Sequence, residues 1–115
     1  MTDAEAIERT VRDYFEGWFD GDAARMERAL HPGLAKRALG ADALNEDTAA
    51  TMIHATAEGQ GRRNDPDERL VEIDVVDVHG QIATVVVHSR IYREYLHLGR
   101  TEQGWKIVNA LWARA

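Results

Sequence analysis

The residues of this chain that could do acid–base or ligand-binding chemistry are histidines, carboxylates and tyrosines. The 115-residue sequence contains five histidines, three tyrosines and no cysteine. The lack of cysteine excludes a thiolate nucleophile, a disulfide framework and thiolate metal sites. Three of the histidines could serve a site: His31 precedes a proline, and His88 and His97 lie in predicted strands. Which chemistry is possible then depends on which of these side chains the fold brings to one cavity.

The spacing of the histidines does not predict a metal site. No two of them lie three or four residues apart, so no helix face would present a pair of imidazole ligands. We therefore expect no metal and no cofactor. His31 stands before Pro32 at the predicted C-terminus of a helix, where the helix dipole favours a cation. We expect His31 to lie at the rim of a pocket.

Tyr14, Phe15, Trp18 and Phe19 form the densest aromatic block of the sequence. Asp3 can cap the helix that carries this block, and the three- and four-residue spacing places the aromatic rings on adjoining faces. Phe15 and Phe19 are predicted to pack in the core. Tyr14 and Trp18 each carry a polar atom that needs a partner when buried, so both are predicted to line a cavity.

Two further helices are predicted in the N-terminal half. The second begins at Asp22 and ends before Pro32. The third begins at Asn45, has Met52 on its buried stripe and ends at Gly59.

The segment between these two helices is ambiguous. We favour a short extended piece for Leu34 to Leu39, because glycines flank it. In extended backbone only one of Lys36 and Arg37 can face inward, where it would be a counter-charge for an anionic ligand. After the third helix, the polar segment from Gly59 to Glu68 is predicted to be a surface loop.

The C-terminal half shows the alternation of a twisted antiparallel meander. The predicted strands are Leu70 to Val78, Gln81 to Ser89, Ile91 to Arg100 and Trp105 to Ala113. A two-residue turn at His79-Gly80 would join the first two strands and would put His88 and Asp74 on opposite faces. That parity argues against a dyad of these two side chains.

The last hairpin decides which polar side chains of the sheet share a face. If its loop has three residues, Tyr95, His97 and Asn109 lie on one face. A change of register by one residue would instead put Leu96 and Leu98 there.

Length and composition limit the function classes. At 115 residues, with 44% hydrophobic and 30% charged residues, residues 1–115 are predicted to form one globular domain. A net charge of −6 makes nucleic acid an unlikely partner. An acidic N-terminus and the lack of a long apolar run predict no membrane contact and a cytoplasmic location. Strands that are apolar on both faces predict a homodimer through the sheet face.

Three helices followed by an antiparallel meander predict an α+β fold. The order of these elements, with a Gly-Asp break after the first helix and a GWKIV-type last strand, resembles the nuclear transport factor 2-like superfamily. Two segments resemble its putative lumazine-binding branch, which lies near the SnoaL-like and ketosteroid isomerase-like branches. They are Tyr14 to Arg37 (YFEGWFDGDAARMERALHPGLAKR) and Tyr95 to Trp112 (YLHLGRTEQGWKIVNALW).

The resemblance implies a cystatin-like cone, in which three N-terminal helices pack on a highly curved antiparallel sheet around a pocket. It also implies dimerisation through the sheet, but no single function, because isomerases, dehydratases, cyclases and non-catalytic binders share the fold. Tyr14 matches the tyrosine of the ketosteroid isomerase-like branch. The carboxylate base of that branch has no counterpart, because Lys36 and Arg37 stand where it would lie.

The sequence therefore predicts a small-molecule-binding domain with an aromatic and polar pocket. The predicted ligand-binding residues are Tyr14, Trp18, His31, Met52, Tyr95, His97 and Asn109. One alternative is an enzyme of cyclase, dehydratase or isomerase type, with His97 as acid or base and Tyr14 as hydrogen-bond donor. Another is a non-catalytic structural dimerisation module, which would have a filled cone and no cavity.

Overall fold

The computed structural model describes residues 1–115 and packs helices on one face of a curved six-stranded sheet. The helices are α1 (Asp3–Asp20), α2 (Ala23–Ala29) and α3 (Ala49–Ala57). The strands are β1 (Leu30–Leu39), β2 (Leu44–Asp47), β3 (Val71–His79), β4 (Ile82–Ser89), β5 (Tyr92–Thr101) and β6 (Gly104–Arg114). Two 3-10 helices, Gln60–Arg63 and Pro66–Arg69, lie between α3 and β3. The predicted α+β fold class is confirmed.

The order of the strands across the sheet is β2-β1-β6-β5-β4-β3. All neighbouring strands are antiparallel except β1 and β6, which run parallel. A parallel pair needs a long crossover connection, and everything between β1 and β6 supplies it. The four strands of the meander were predicted. The extension of the sheet by β1 and β2 was not, because it depends on pairing between distant segments. None of the helices has the length and apolarity that crossing a membrane requires.

The first helix begins and ends through local backbone chemistry. Its cap is Thr2, not the predicted Asp3: the Thr2 hydroxyl accepts a hydrogen bond of 3.1 Å from the backbone N–H of Glu5. It ends at Gly21, whose φ of 68° lies in the left-handed region that glycine adopts without strain. The helix thus presents its aromatic block directly before a sharp turn into α2.

Two predictions about the segments after α2 are wrong. His31 was expected at a helix C-terminus, but α2 ends at Ala29 and β1 begins at Leu30, which pairs with Ile107 of β6. Asn45 was expected to cap the third helix, but it lies in β2; Thr48 caps α3. In both places, pairing with a strand outweighs the local preference for helix, because it satisfies backbone groups along the whole segment.

The hairpin between β5 and β6 differs from the expected one in two ways. Its loop has two residues instead of three, because Thr101 pairs with Gly104. A β-bulge then follows at Val108: Leu98 pairs with Ile107, but His97 pairs with Asn109. These two shifts decide which side chains of both strands point towards the helices.

The inward-facing residues of the last two strands follow from this register. In β5 they are Glu94, Leu96 and Leu98. In β6 they are Trp105 and Ile107 before the bulge and Ala110 and Trp112 after it. The other face of β5 and β6, which we call the outer face, carries Tyr95, His97, Asn109 and Leu111.

The hairpin between β3 and β4 also departs from the predicted register. Its turn is Gly80-Gln81, because His79 pairs with Ile82, and a bulge lies between Val75 and Asp77. Glu72 consequently pairs with His88. His88 and Asp74 therefore lie on the same face, contrary to the parity expected from a His79-Gly80 turn.

The hydrophobic core fills the space between α1 and the inward face of the sheet. Its largest fully buried side chains are Ile7, Val11, Met26, Val85, Val87, Leu96, Leu98 and Ile107. The apolar stripe of α1 and the alternating residues of β4 and β5 supply most of them, as their periodicity predicts.

A charged cluster joins α1 to α2. The Asp13 carboxylate accepts hydrogen bonds from Arg25 Nε at 3.0 Å and from Arg28 Nε at 3.1 Å. Arg25 also contacts Glu16 at 3.0 Å. Burial by itself would raise the pKa of Asp13, but the two arginines outweigh it and hold the pKa below its ordinary value.

We expect Asp13→Asn to lower the free energy of unfolding by about 1–3 kcal/mol near pH 7, as for a lost charge-assisted hydrogen bond. Because the folded-state pKa is lowered, this stabilisation is present above the unfolded pKa and is lost as the pH falls through the folded pKa. The difference between the variant and the wild type should shrink below about pH 4. Urea unfolding followed by circular dichroism across pH measures it, with the exposed Asp20→Asn as control.

Candidate functional site

A cavity of about 240 Å³ lies between α1, α3 and the inward face of the sheet. Its wall combines aromatic rings with two buried and two peripheral charged side chains. Twelve residues line it: Tyr14, Phe15, Trp18, Lys36, Asp47, Met52, Ala55, Gln60, Tyr92, Glu94, Trp112 and Arg114.

The positions of the lining residues follow from the elements that carry them. Tyr14 and Trp18 are four residues apart and share one side of α1. Tyr92 and Glu94 are two residues apart and therefore both lie on the inward face of β5. Trp112 lies opposite Glu94 on β6. The cavity therefore sits where the end of the β5–β6 ladder meets the C-terminal half of α1.

The segment after α3 closes one side of the cavity. A Cβ on Gly61 would lie 2.2 Å from the backbone oxygen of Trp18, so only glycine allows this close approach to α1. The approach places Gln60 on the cavity wall. The predicted surface loop thus begins as part of the site.

A lysine, a tyrosine and a glutamate meet in the wall of the cavity. The Tyr14 hydroxyl donates a hydrogen bond of 2.9 Å to Glu94 Oε1 and accepts one from Lys36 Nζ. Lys36 Nζ lies 3.8 Å from Glu94 Oε1. Lys36 and Glu94 are only 8% and 2% exposed, so the two charges compensate each other away from bulk water. We call these three residues the buried triad.

Aromatic rings surround the ammonium group of the buried triad. Lys36 Nζ lies 5.0 Å from the ring centre of Tyr14 and 5.4 Å from that of Trp112. Both distances are within the range of cation–π attraction. Trp112 in turn packs edge-on against Tyr92, with ring centres 5.6 Å apart. The cation is therefore held by ring faces as well as by the carboxylate.

The surroundings of Tyr14 keep its hydroxyl protonated. Burial raises the pKa of Tyr14 well above its ordinary value, and the neighbouring Glu94 carboxylate raises it further. Tyr14 is therefore a neutral hydrogen-bond donor at physiological pH.

Three of the predicted site residues lie together at this cavity, namely Tyr14, Trp18 and Met52. The structure also decides the alternative left open for the adjacent cations: Lys36 faces inward, whereas Arg37 is exposed and pairs with Glu46 at 3.1 Å. The counter-charge of Lys36 within the protein is Glu94.

Tyr95, His97 and Asn109 do not line the cavity. They lie on the outer face, where Asn109 Nδ2 is 3.3 Å from His97 Nδ1. The expectation that they face the pocket is wrong. The two-residue loop turns Tyr95 and His97 of β5 to the outer face, and the bulge at Val108 does the same for Asn109 of β6. His97 and Tyr14 are consequently on opposite sides of the sheet and cannot act on one ligand.

His31 lies at a different place from the one expected. It belongs to β1 and faces an open depression that Glu27, Ile53 and Lys106 also line. Its Nδ1 accepts a hydrogen bond of 2.9 Å from the backbone N–H of Gly33. Nowhere does the structure group three His, Cys, Asp or Glu side chains that could hold a metal ion.

Glu94 and Trp112 are site residues that were not predicted from the sequence. A signal for Glu94 was present: it stands two residues before Leu96 and four before Leu98, so it is a carboxylate in the apolar phase of the strand. Nothing comparable marked Trp112, because its side depends on the bulge at Val108.

A family model described as "Putative lumazine-binding" matches residues 2–113 of the chain. Comparison with solved structures finds similar folds at low sequence identity. An NTF-2 like protein of unknown function from Silicibacter pomeroyi DSS-3 has a TM-score of 0.80 and 21% identity, with 100% of both chains covered. A comparison with curated proteins finds no match.

Two further structures show the same fold. An NTF2-like protein with a cystatin-like fold from Novosphingobium aromaticivorans has a TM-score of 0.69 and 18% identity; 97% of this chain and 81% of that chain are covered. A putative dehydratase from the NTF2-like family of Streptomyces avermitilis has a TM-score of 0.62 and 12% identity, with coverage of 98% and 96%. At these identities the similarity establishes the fold alone.

We expect Lys36→Met to lower the free energy of unfolding by about 3 kcal/mol, because it leaves the Glu94 carboxylate buried without a cation. Arg37→Met, the adjacent control, should cost less than about 1 kcal/mol, since its ion pair is exposed. Adding Glu94→Gln to Lys36→Met should recover part of the loss. Urea unfolding of the four proteins measures this, and equal losses for Lys36→Met and Arg37→Met would contradict the buried pair.

Proposed function

The chain belongs to the putative lumazine-binding family of the nuclear transport factor 2-like superfamily, and from that premise we propose that it binds a small planar aromatic molecule in the cavity. The observation that carries the proposal is an aromatic cavity with polar groups buried in its wall. Such cavities combine apolar area for affinity with a few polar groups for orientation.

The size of the cavity supports a small ligand. Its volume of about 240 Å³ is below the roughly 300–1,000 Å³ of pockets for drug-sized molecules. The rings of Trp18, Tyr92 and Trp112 supply flat surfaces against which a planar molecule can stack. A ligand of one or two fused rings fits these limits.

The competing functions have less support. A structural module with a filled cone would leave no space where the cavity lies. An enzyme that combines His97 with Tyr14 would need both side chains at one ligand, and they lie on opposite sides of the sheet. The putative dehydratase among the structural relatives is only 12% identical to this chain. Ligand binding is therefore the function that we favour.

The proposal also includes the assembly of the protein. The outer face and the same side of β4 expose large apolar side chains, with Tyr95 48%, Ile82 63% and Leu111 46% accessible. Exposed apolar area of this kind on one face of a sheet favours burial against a second copy. We propose a homodimer of single-domain chains through this face, in the cytoplasm.

Binding can be tested with lumazine, indole and uracil as probes. We expect at least one of them to raise the unfolding temperature of the wild type, since ligand at 100 times its Kd adds about 2.7 kcal/mol of stability. Trp18→Ala should abolish this shift while the protein stays folded. His97→Ala, on the outer face, should keep it.

Differential scanning fluorimetry measures these shifts, and circular dichroism checks that each variant is folded. The absence of a shift for every probe at millimolar concentration would count against the binding function. A full shift in Trp18→Ala would show that binding occurs elsewhere.

The dimer has its own test in analytical ultracentrifugation. Leu111→Arg places a charge on the proposed interface, so we expect it to shift the protein from dimer to monomer, with a loss of affinity of at least about 100-fold. Ala24→Arg makes the same change of charge on the exposed side of α2 and should remain dimeric. A monomeric wild type at micromolar concentration would refute the proposed assembly.

A further inference from the structure

We infer that the ligand of the cavity is a neutral heterocycle whose edge carries a ring N–H beside a ring C=O, that is, a cyclic amide, bound with the N–H on Glu94 and the C=O on Lys36. The inference rests on the proposed binding function and narrows the class of ligand. It follows from the hydrogen-bonding capacity that the buried triad leaves unused.

Glu94 offers a free acceptor to the cavity. Its Oε1 receives the hydrogen bond from Tyr14, whereas its Oε2 has no hydrogen-bond partner in the protein. No fully buried side-chain nitrogen or oxygen in the structure lacks a partner. Because Glu94 lines the cavity, its Oε2 must be the part of the carboxylate that reaches the open space. Within the cavity, such a carboxylate oxygen accepts hydrogen bonds from water or from a donor on a bound ligand.

Lys36 offers free donors beside that acceptor. An ammonium group has three N–H bonds, and the only hydrogen bond that Lys36 Nζ makes in the protein is to the Tyr14 hydroxyl. Nζ lies 3.8 Å from Glu94 Oε1, so the ammonium group and the carboxylate group are neighbours in the same wall. A ligand that satisfies both must present an acceptor next to a donor.

The charges around the cavity favour a neutral ligand. Lys36 and Arg114 oppose Asp47 and Glu94 among the lining residues, so the formal charges cancel. An anionic ligand would be attracted by Lys36 but repelled by the buried Glu94 carboxylate. A cationic ligand would be attracted by Glu94 but repelled by Lys36. A cyclic amide supplies a donor and an acceptor without net charge.

The aromatic walls favour a ring as the carrier of this edge. A flat heterocycle can stack on Trp112 or Trp18 while its edge lies in the plane of the donor and acceptor. Monocyclic pyrimidines and bicyclic fused heterocycles share the same amide edge. Comparing the affinities of uracil and lumazine distinguishes a monocyclic ligand from a bicyclic one.

The test compares two probes that differ only at the ring nitrogen, namely 2-quinolone and 1-methyl-2-quinolone. Methylation removes the donor and leaves Glu94 Oε2 buried against a methyl group. A site built for a hydrogen bond strongly rejects a ligand that lacks it. We expect 2-quinolone to bind the wild type at least about tenfold more tightly, measured by quenching of tryptophan fluorescence or by calorimetry. Quinoline-2-carboxylate, an anion, should bind more weakly than 2-quinolone.

Substitution of Glu94 tests whether this side chain distinguishes the two quinolones. Glu94→Gln should reduce the ratio of the two affinities to less than half of its wild-type value, and Glu72→Gln, an exposed position of β3, should leave it unchanged. The ratio compares two ligands on one protein, so a general loss of stability does not affect it.

The outcomes separate this inference from the proposed function. If both quinolones bind with a ratio below tenfold, or if the carboxylate binds most tightly, the cyclic amide is wrong and ligand binding stands. If neither quinolone binds but indole does, the same conclusion holds. If no planar probe binds, the proposed function itself fails.

Discussion

The structure depends most on the compensation of one buried cation. Lys36 enters the aromatic interior from β1, and the cost of removing an ammonium group from water is several kcal/mol unless a partner offsets it. Glu94 from β5 and the Tyr14 hydroxyl from α1 provide that partner. The contact therefore fixes the relative positions of a helix and two strands that are not neighbours in the sheet. It also keeps this part of the interior polar, where further apolar side chains would have filled the cone.

One extra residue in β6 determines which side chains line the cavity. Before Val108, the strand directs Trp105 and Ile107 towards the helices; after it, strict alternation would have directed Asn109 inward. The bulge inverts the alternation, so that Trp112 reaches the cavity opposite Glu94 and Asn109 lies on the outer face. The wall is consequently aromatic beside the buried charges, and His97 of β5 lies on the outer face.

The comparisons with known proteins establish the fold and the family of this chain. Structures with 12–21% identity share the whole architecture, and the Silicibacter pomeroyi protein among them is of unknown function. Because one architecture hosts unrelated chemistries, the function of a chain with this fold depends on its own side chains. In this chain those side chains form a charge-balanced donor and acceptor pair within aromatic walls. That arrangement suits the recognition of a ligand better than proton transfer by a histidine.

The sequence by itself determined the elements whose periodicity is local. The helical aromatic block, the buried stripe with Met52 and the four strands of the meander all follow from spacing within one segment. Tyr14 and Trp18 were predicted on a cavity wall for the same reason, and both line the cavity. The alternation of β5 also contained the signal for Glu94. Only the tertiary structure decided the rest, because a loop shorter by one residue and a bulge each exchange the two faces of a strand, and both depend on pairing between segments. Likewise the inward direction of Lys36 depends on the carboxylate of Glu94, which lies 58 positions later in the chain. No local sequence pattern connects the two residues.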